Sequence, residues 1–146
     1  MSAFVSGAPG EVIECRVPDR AAGQGLQVRI GCHTDGLWHL DAWRRCPEIT
    51  RGFPLGTAVT RAANAFGGPV YLEVPADCGL GPVEVEIQGA VEAPRFVLGT
   101  TDPVQWREQL RDQLAPWAEL ECSRVILTVP SASRRGRFTA ISAPSR

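Results

Sequence analysis

Asn64-Ala65-Phe66-Gly67-Gly68-Pro69-Val70-Tyr71-Leu72-Glu73-Val74-Pro75 is the stretch on which the fold turns. Its second half alternates, with Val70, Leu72 and Val74 on one side and Tyr71 and Glu73 on the other. A period of two predicts a half-buried strand. Gly67-Gly68 ahead of it lets the backbone turn tightly or pass close to another group, because neither residue carries a Cβ. Taken from the residues alone, this is a β-turn feeding a sandwich strand.

Outward from that stretch, short strands separated by turns dominate the chain. Upstream, Glu11 to Pro18 and Leu26 to Cys32 both alternate, and the polar link between them predicts antiparallel neighbours. Leu26, Val28, Ile30 and Cys32 are expected inward, Gln27 and Arg29 outward. Leu37 to Arg45 reads either as a short helix or as an irregular excursion. Glu48 to Leu55 is extended, and Thr57 to Ala62 forms a further strand. Downstream, Val83 to Gly89 has valines and isoleucine on one face and glutamates on the other. Ala90 to Gly99 continues extended past a kink at Ala93-Pro94. A helix over 102–115 follows, with Asp102 as N-cap, Pro103 in the first turn, and Trp106, Leu110 and Leu114 as an apolar stripe facing the core. Pro116 ends it, Trp117 to Glu121 is a connection, and Arg124 to Pro130 is the last strand. Together these predict a mainly β protein: an Ig-like or jelly-roll antiparallel β-sandwich of about seven strands with one inserted α-helix.

The chain of 146 residues is one domain, long enough to bury a core without covalent staples. A net charge of −1 gives no electrostatic footprint for nucleic acid. Every basic residue is arginine, a pattern that codon bias in a GC-rich genome produces. No run is long and apolar enough to span a membrane. Met1 to Gly10 lacks a basic region followed by an apolar run, so no signal peptide is expected and the compartment stays open. Cys15, Cys32, Cys46, Cys78 and Cys122 are too widely spaced for a zinc or disulfide framework and are expected as free thiols, with a single Cys15–Cys32 bridge left open.

Catalytic signatures are sparse. His33 and His39 stand six apart, unlike the i, i+4 pair of a His-Glu-x-x-His helix, and with Asp35 and Asp41 they suggest at most a loop metal site. No nucleophile elbow and no phosphate-binding loop occurs. Among the tryptophans, Trp106 belongs to the helix stripe. Trp38, Trp43 and Trp117 lie in connections, where flat aromatics can stack on sugars or anchor a partner.

Five segments in order resemble the enhancin-like, mucin-directed zinc metallopeptidases (peptidase family M60), which include the vertebrate TRP-channel-associated factors. The first two are Pro9-Gly10-Glu11-Val12-Ile13 and the run from Val28 through Gly31-Cys32-His33-Thr34-Asp35. The third is the opening stretch from Asn64 to Pro75. The fourth runs from Gly89 to Gly99, and the fifth joins Ala115-Pro116-Trp117-Ala118-Glu119-Leu120 to Val125 through Ser131. The resemblance covers residues 7–133 and implies the sandwich portion that precedes a catalytic helical portion. In that family zinc is held by a His-Glu-x-x-His helix and a downstream glutamate, neither of which follows here, so the chain itself is expected to hold no zinc. The resemblance implies a non-catalytic module (residues 1–133) of a bacterial peptidase acting on mucins and glycoproteins, secreted or at the cell surface. Residues 134–146 are then a disordered or frameshifted tail. Its expected partner is the missing catalytic portion, with glycoprotein or glycan beyond it. Asn64, Phe66, Gly67, Gly68, Trp117 and Glu119 are the candidate interface or substrate-proximal residues. The alternative is a free-standing carbohydrate- or protein-binding module that stacks glycans on Trp38 and Trp43.

Overall fold

The computed structural model describes residues 4–131. Their strands are β1 (Val5–Gly7), β2 (Val12–Arg16), β3 (Gln27–Ile30), β4 (Arg51–Pro54), β5 (Val59–Ala63) and β6 (Gly68–Glu73), then β7 (Glu86–Gln88), β8 (Ala90–Glu92), β9 (Arg95–Val97), β10 (Trp117–Glu121) and β11 (Ile126–Pro130). A short helix, α1 (Pro103–Glu108), lies between β9 and β10. The central sheet has the order β4-β3-β6-β1-β8, all antiparallel. A second sheet runs β5-β2-β7, and a third runs β11-β10-β9. The strands are more numerous and shorter than the sequence pattern predicts, and β9–β10 is parallel. No helix among the described residues is long and apolar enough to cross a membrane.

The main core lies between the central and second sheets. Val28 and Ile30 of β3 and Val70 of β6 meet Ile13 and Cys15 of β2 and Ala62 of β5, with Val17, Ala21, Leu26 and Leu55 closing the ends. Each large aliphatic side chain buried here contributes about 1.5–3 kcal/mol. Ile30 is paired with Val70, and the next pair along, Arg29 with Tyr71, faces the opposite way. That outer face carries the third sheet, because the Tyr71 hydroxyl reaches Glu119 of β10. The molecule is therefore three β-layers deep, with the central sheet covered on both sides.

Several expectations are corrected by this layering. β2 and β3 are not neighbours: β2 pairs with β5 and β7, while β3 pairs with β4 and β6. The link between them carries a 3-10 turn at Asp19–Ala21 whose Ala21 is buried, and it crosses from one layer to the other. Cys15 and Cys32 accordingly sit in different layers, and all five cysteines are free. In β6 the inward alternation holds at Val70, but Leu72, and Val74 just beyond the strand, are exposed. Val83 to Gln88 keeps its alternating burial, although only Glu86–Gln88 is paired as strand.

The helix is shorter than predicted. Asp102 does cap it, accepting the Val104 and Gln105 backbone N–H groups, with Pro103 in the first turn. It breaks at Gln109 (φ −132°), followed by a 3-10 turn at Leu110–Asp112. Pro116 disfavours helical geometry at Ala115, so the chain cannot carry the stripe to its end. Leu114, expected in the core, is 91% exposed. Trp117 to Glu121, expected as a connection, is the middle strand of the third sheet. The tail over 134–146 lies outside the described residues.

Candidate functional site

The opening turn is held from inside. Asn64 is 2% exposed, and its Nδ2 donates to Ile30 O (2.9 Å) and Ile49 O (2.8 Å). Its Oδ1 accepts from Phe66 N–H at 3.1 Å, and its backbone carbonyl accepts from both Gly10 N–H and Gly67 N–H at 2.9 Å. One amide thus ties the end of β3, the approach to β4 and the turn into β6. Gly67 has φ +61°, and a Cβ there would stand 2.6 Å from Gly7 O and 2.7 Å from Pro9 N. Gly68 (φ +126°) passes over Gly31 with a little more room, since a Cβ there would come within 3.1 Å of the Gly31 Cα. Of the candidate interface residues in this turn, Asn64, Gly67 and Gly68 are buried and Phe66 alone is exposed.

Trp117 and Glu119 occupy the seam between the central and third sheets. Glu119 is 4% exposed and accepts the Tyr71 hydroxyl at 2.6 Å. Burial first, and then the Glu119 carboxylate, hold the Tyr71 phenol well above its usual range. Phe4 lies 6.4 Å from the Tyr71 ring and the Arg29 guanidinium 4.8 Å above it. Trp117 is half-buried, with the His33 ring edge-on at 6.2 Å. Hydropathy carries no signal for this seam, because a glutamate inside a strand reads as its solvent face. Tyr71, placed opposite the predicted core face, was the one hint of a second covered side.

The structure brings Trp38 and Trp43 together. Their rings are 5.2 Å apart and edge-to-face, and they remain 64% and 51% exposed. They project from an irregular loop that is nevertheless braced. Leu37 N–H donates to Pro47 O, Leu40 N–H donates to Leu37 O, and Arg45 donates to Asp35 Oδ2 at 2.6 Å. At the foot of the loop is a polar cleft of about 280 Å³ between β3, β4 and β6, which the sequence did not disclose. Arg29, Glu48, Thr50 and Glu73 line it together with the loop residues His33 to Gly36. Arg29 Nε lies 3.2 Å from Glu73 Oε1, as an ion pair without hydrogen-bond alignment, and both Arg29 Nε and Thr50 Oγ1 are buried without a hydrogen-bond partner.

Zinc does not fit the residues present. His33 Nδ1 is 3.8 Å from Asp35, but Arg45 engages that carboxylate, and no group of three His, Cys, Asp or Glu among the described residues could hold a metal. Two of the thiols, Cys15 and Cys32, are pushed up by burial, opposite to what a nucleophile needs.

The N-terminal domain of M60-like peptidases matches residues 7–88, and the description "Peptidase M60, enhancin and enhancin-like" matches residues 89–140. The boundary falls at Gly89, between β7 and β8. TRPM8 channel-associated factor 2 of Homo sapiens is 40% identical over 124 residues, which is 85% of this chain and 14% of that protein. TRPM8 channel-associated factor 1 of Bos taurus is 38% identical over 128 residues, again 14% of its length. The chain therefore spans about one-seventh of the curated relatives it matches. Among solved structures, the M60 catalytic domain of Clostridium perfringens ZmpC, in complex with the sialyl T antigen, superposes with a TM-score of 0.61 at 14% identity, covering 88% of this chain and 28% of that one. A functionally unknown conserved protein of Bacillus anthracis gives a TM-score of 0.61 at 18% identity, covering 91% and 26%. At such identities the structural likeness speaks for the fold alone. With more than half of its length matched by the N-terminal domain, this chain belongs to the M60-like peptidase family.

Proposed function

We propose that this chain is a non-catalytic sandwich module of a longer M60-like zinc peptidase, flanking and supporting its catalytic cleft. The observation that carries this is the half-covered third layer. Glu119 points to the central sheet, so Leu120 and its cross-strand partners Leu127 and Phe96 point away from it. The cover on that side is α1, which has no buried residue and touches Phe96 through Trp106 at 5.4 Å. Leu127 is left 54% exposed and Val104 46%. An apolar face of this kind marks an interaction surface, and the part of the longer protein that continues from residues 89–140 is its natural occupant. On this reading zinc and the glutamate base belong to that remainder. The substrate is glycoprotein, as the complex of ZmpC with a sialylated antigen supports for a relative.

Hydrogen exchange on the chain alone, and on the same chain with the catalytic portion of a full-length relative, tests the proposal. Protection is expected to rise across β9, β10, β11 and α1 when the partner is added, with loss of hydrophobic-dye binding. Unchanged exchange would overturn it, as would mucin hydrolysis by the isolated chain carrying stoichiometric zinc.

A further inference from the structure

We propose that the 33–48 loop and the cleft at its foot form a binding site for a neutral pyranose oligosaccharide. This inference does not rest on the chain flanking a catalytic cleft. A pyranose has an apolar C–H face and a rim of hydroxyls, so its site needs an aromatic platform beside a polar, hydroxyl-sized recess. Both are present and joined here. Trp38 and Trp43 offer the platform, as an edge-to-face pair with each indole more than half exposed. Gly36 lines the cleft, and a Cβ on it would meet the Trp38 Cδ1 at 3.6 Å, so the platform stands at the cleft's rim. Arg45, two residues after Trp43, ties the far limb of the loop to Asp35 in the cleft wall. The loop is thus braced before any ligand arrives, which lowers the ordering cost of binding.

The recess is lined by charged and hydroxyl side chains, two glycines and the His33 imidazole, with no Ala, Val, Leu, Ile, Phe, Tyr or Trp. Arg29 and Glu73 place a donor beside an acceptor, the arrangement that vicinal hydroxyls satisfy, and Glu48 adds a second acceptor. Thr50 Oγ1 and Arg29 Nε are closed to a water-sized group, so the hydroxyls of a ligand meet the exposed carboxylates of Glu48 and Glu73 instead. Charge then selects among sugars. Asp35 is neutralised by Arg45, which leaves Glu48 and Glu73 against Arg29 and no positive excess for an acidic sugar or a phosphate. A polypeptide partner would need an apolar recess for an anchor side chain, and this cleft has none.

Intrinsic tryptophan fluorescence and saturation-transfer NMR on the full chain test the assignment, with lactose, N-acetyllactosamine and chitotriose as neutral probes and sialylated lactose as the acidic comparison. Saturable binding of at least one neutral sugar is expected, with a Kd on the order of 1 mM and transfer concentrated on ring C–H protons. Trp38→Ala and Trp43→Ala are each expected to weaken it about tenfold without changing the melting temperature, because both side chains are exposed. Trp43→Tyr should retain part of the affinity. The proposal is overturned if no neutral sugar binds, if the double alanine variant binds as the wild type does, or if sialylated lactose binds more tightly than lactose.

Discussion

Replacing Tyr71 by Phe removes one hydrogen bond and leaves the packing of the seam in place. The phenyl ring keeps its contacts with Phe4 and with the Arg29 guanidinium 4.8 Å above it. What disappears is the 2.6 Å bond to Glu119, a carboxylate at 4% exposure that water cannot reach to compensate. A hydrogen bond to a charged acceptor contributes about 1.5–3 kcal/mol. A loss of about 2 kcal/mol is therefore expected, which lowers the melting temperature of a domain this size by about 6–10 °C. Adding Glu119→Gln to the variant should reveal a coupling of about 1–2 kcal/mol in a double-mutant cycle followed by thermal denaturation. The bond also has a pH signature. An acid whose folded pKa is raised stabilises the fold fully below its unfolded pKa, near 10 for tyrosine, and the contribution is lost as pH rises through the folded value. Tyr71 is the only tyrosine in the chain, so phenolate absorbance reports it without ambiguity. It should stay protonated past pH ~10 and ionise together with alkaline unfolding. A normal titration in the folded chain, or a Tyr71→Phe variant melting within about 1 °C of wild type, would refute the seam as a stabilising contact.

Asn64→Ala should cost about 3–4 kcal/mol in urea unfolding, since it orphans the Ile30 and Ile49 carbonyls and frees the Phe66 amide. Gly67→Ala and Gly10→Ala separate strain from collision. Both glycines have positive φ, but nothing lies within 4 Å of a Cβ on Gly10, so its variant should lose only about 1 kcal/mol. A Cβ on Gly67 meets backbone atoms at 2.6 and 2.7 Å, and that variant should fail to reach the wild-type circular dichroism spectrum. Leu114→Ser should change the melting temperature little (within about 0.5 kcal/mol), whereas Leu55→Ala, at a site 1% exposed, should cost about 2–5 kcal/mol.

Local chemistry was legible in the sequence wherever one covered face decided the pattern. The alternation of Leu26, Val28 and Ile30 is the inner face of β3, and Asp102-Pro103 starts the helix as its cap chemistry requires. What failed were features set by contacts distant along the chain. β2 and β3 alternate equally well, and nothing in either says that their partners lie tens of residues away in different sheets. Glu119 looked like part of a polar connection because its burial depends on Tyr71, 48 residues earlier. Leu114 obeyed a helical period that the chain abandons at Gln109. Trp38 and Trp43 stand out in the sequence as exposed-loop aromatics, but their meeting edge-to-face at the rim of a cleft needs the folded loop.

The Asn64 turn has one further consequence. Its asparagine and its glycine pair are dictated by backbone groups that crowd around them. A descendant chain could shed every group that performs hydrolysis and still be compelled to keep this stretch in order to fold. Genome surveys that recognise such proteins by the turn are consequently counting folds, and a tally of enzymes would have to look for catalytic groups separately.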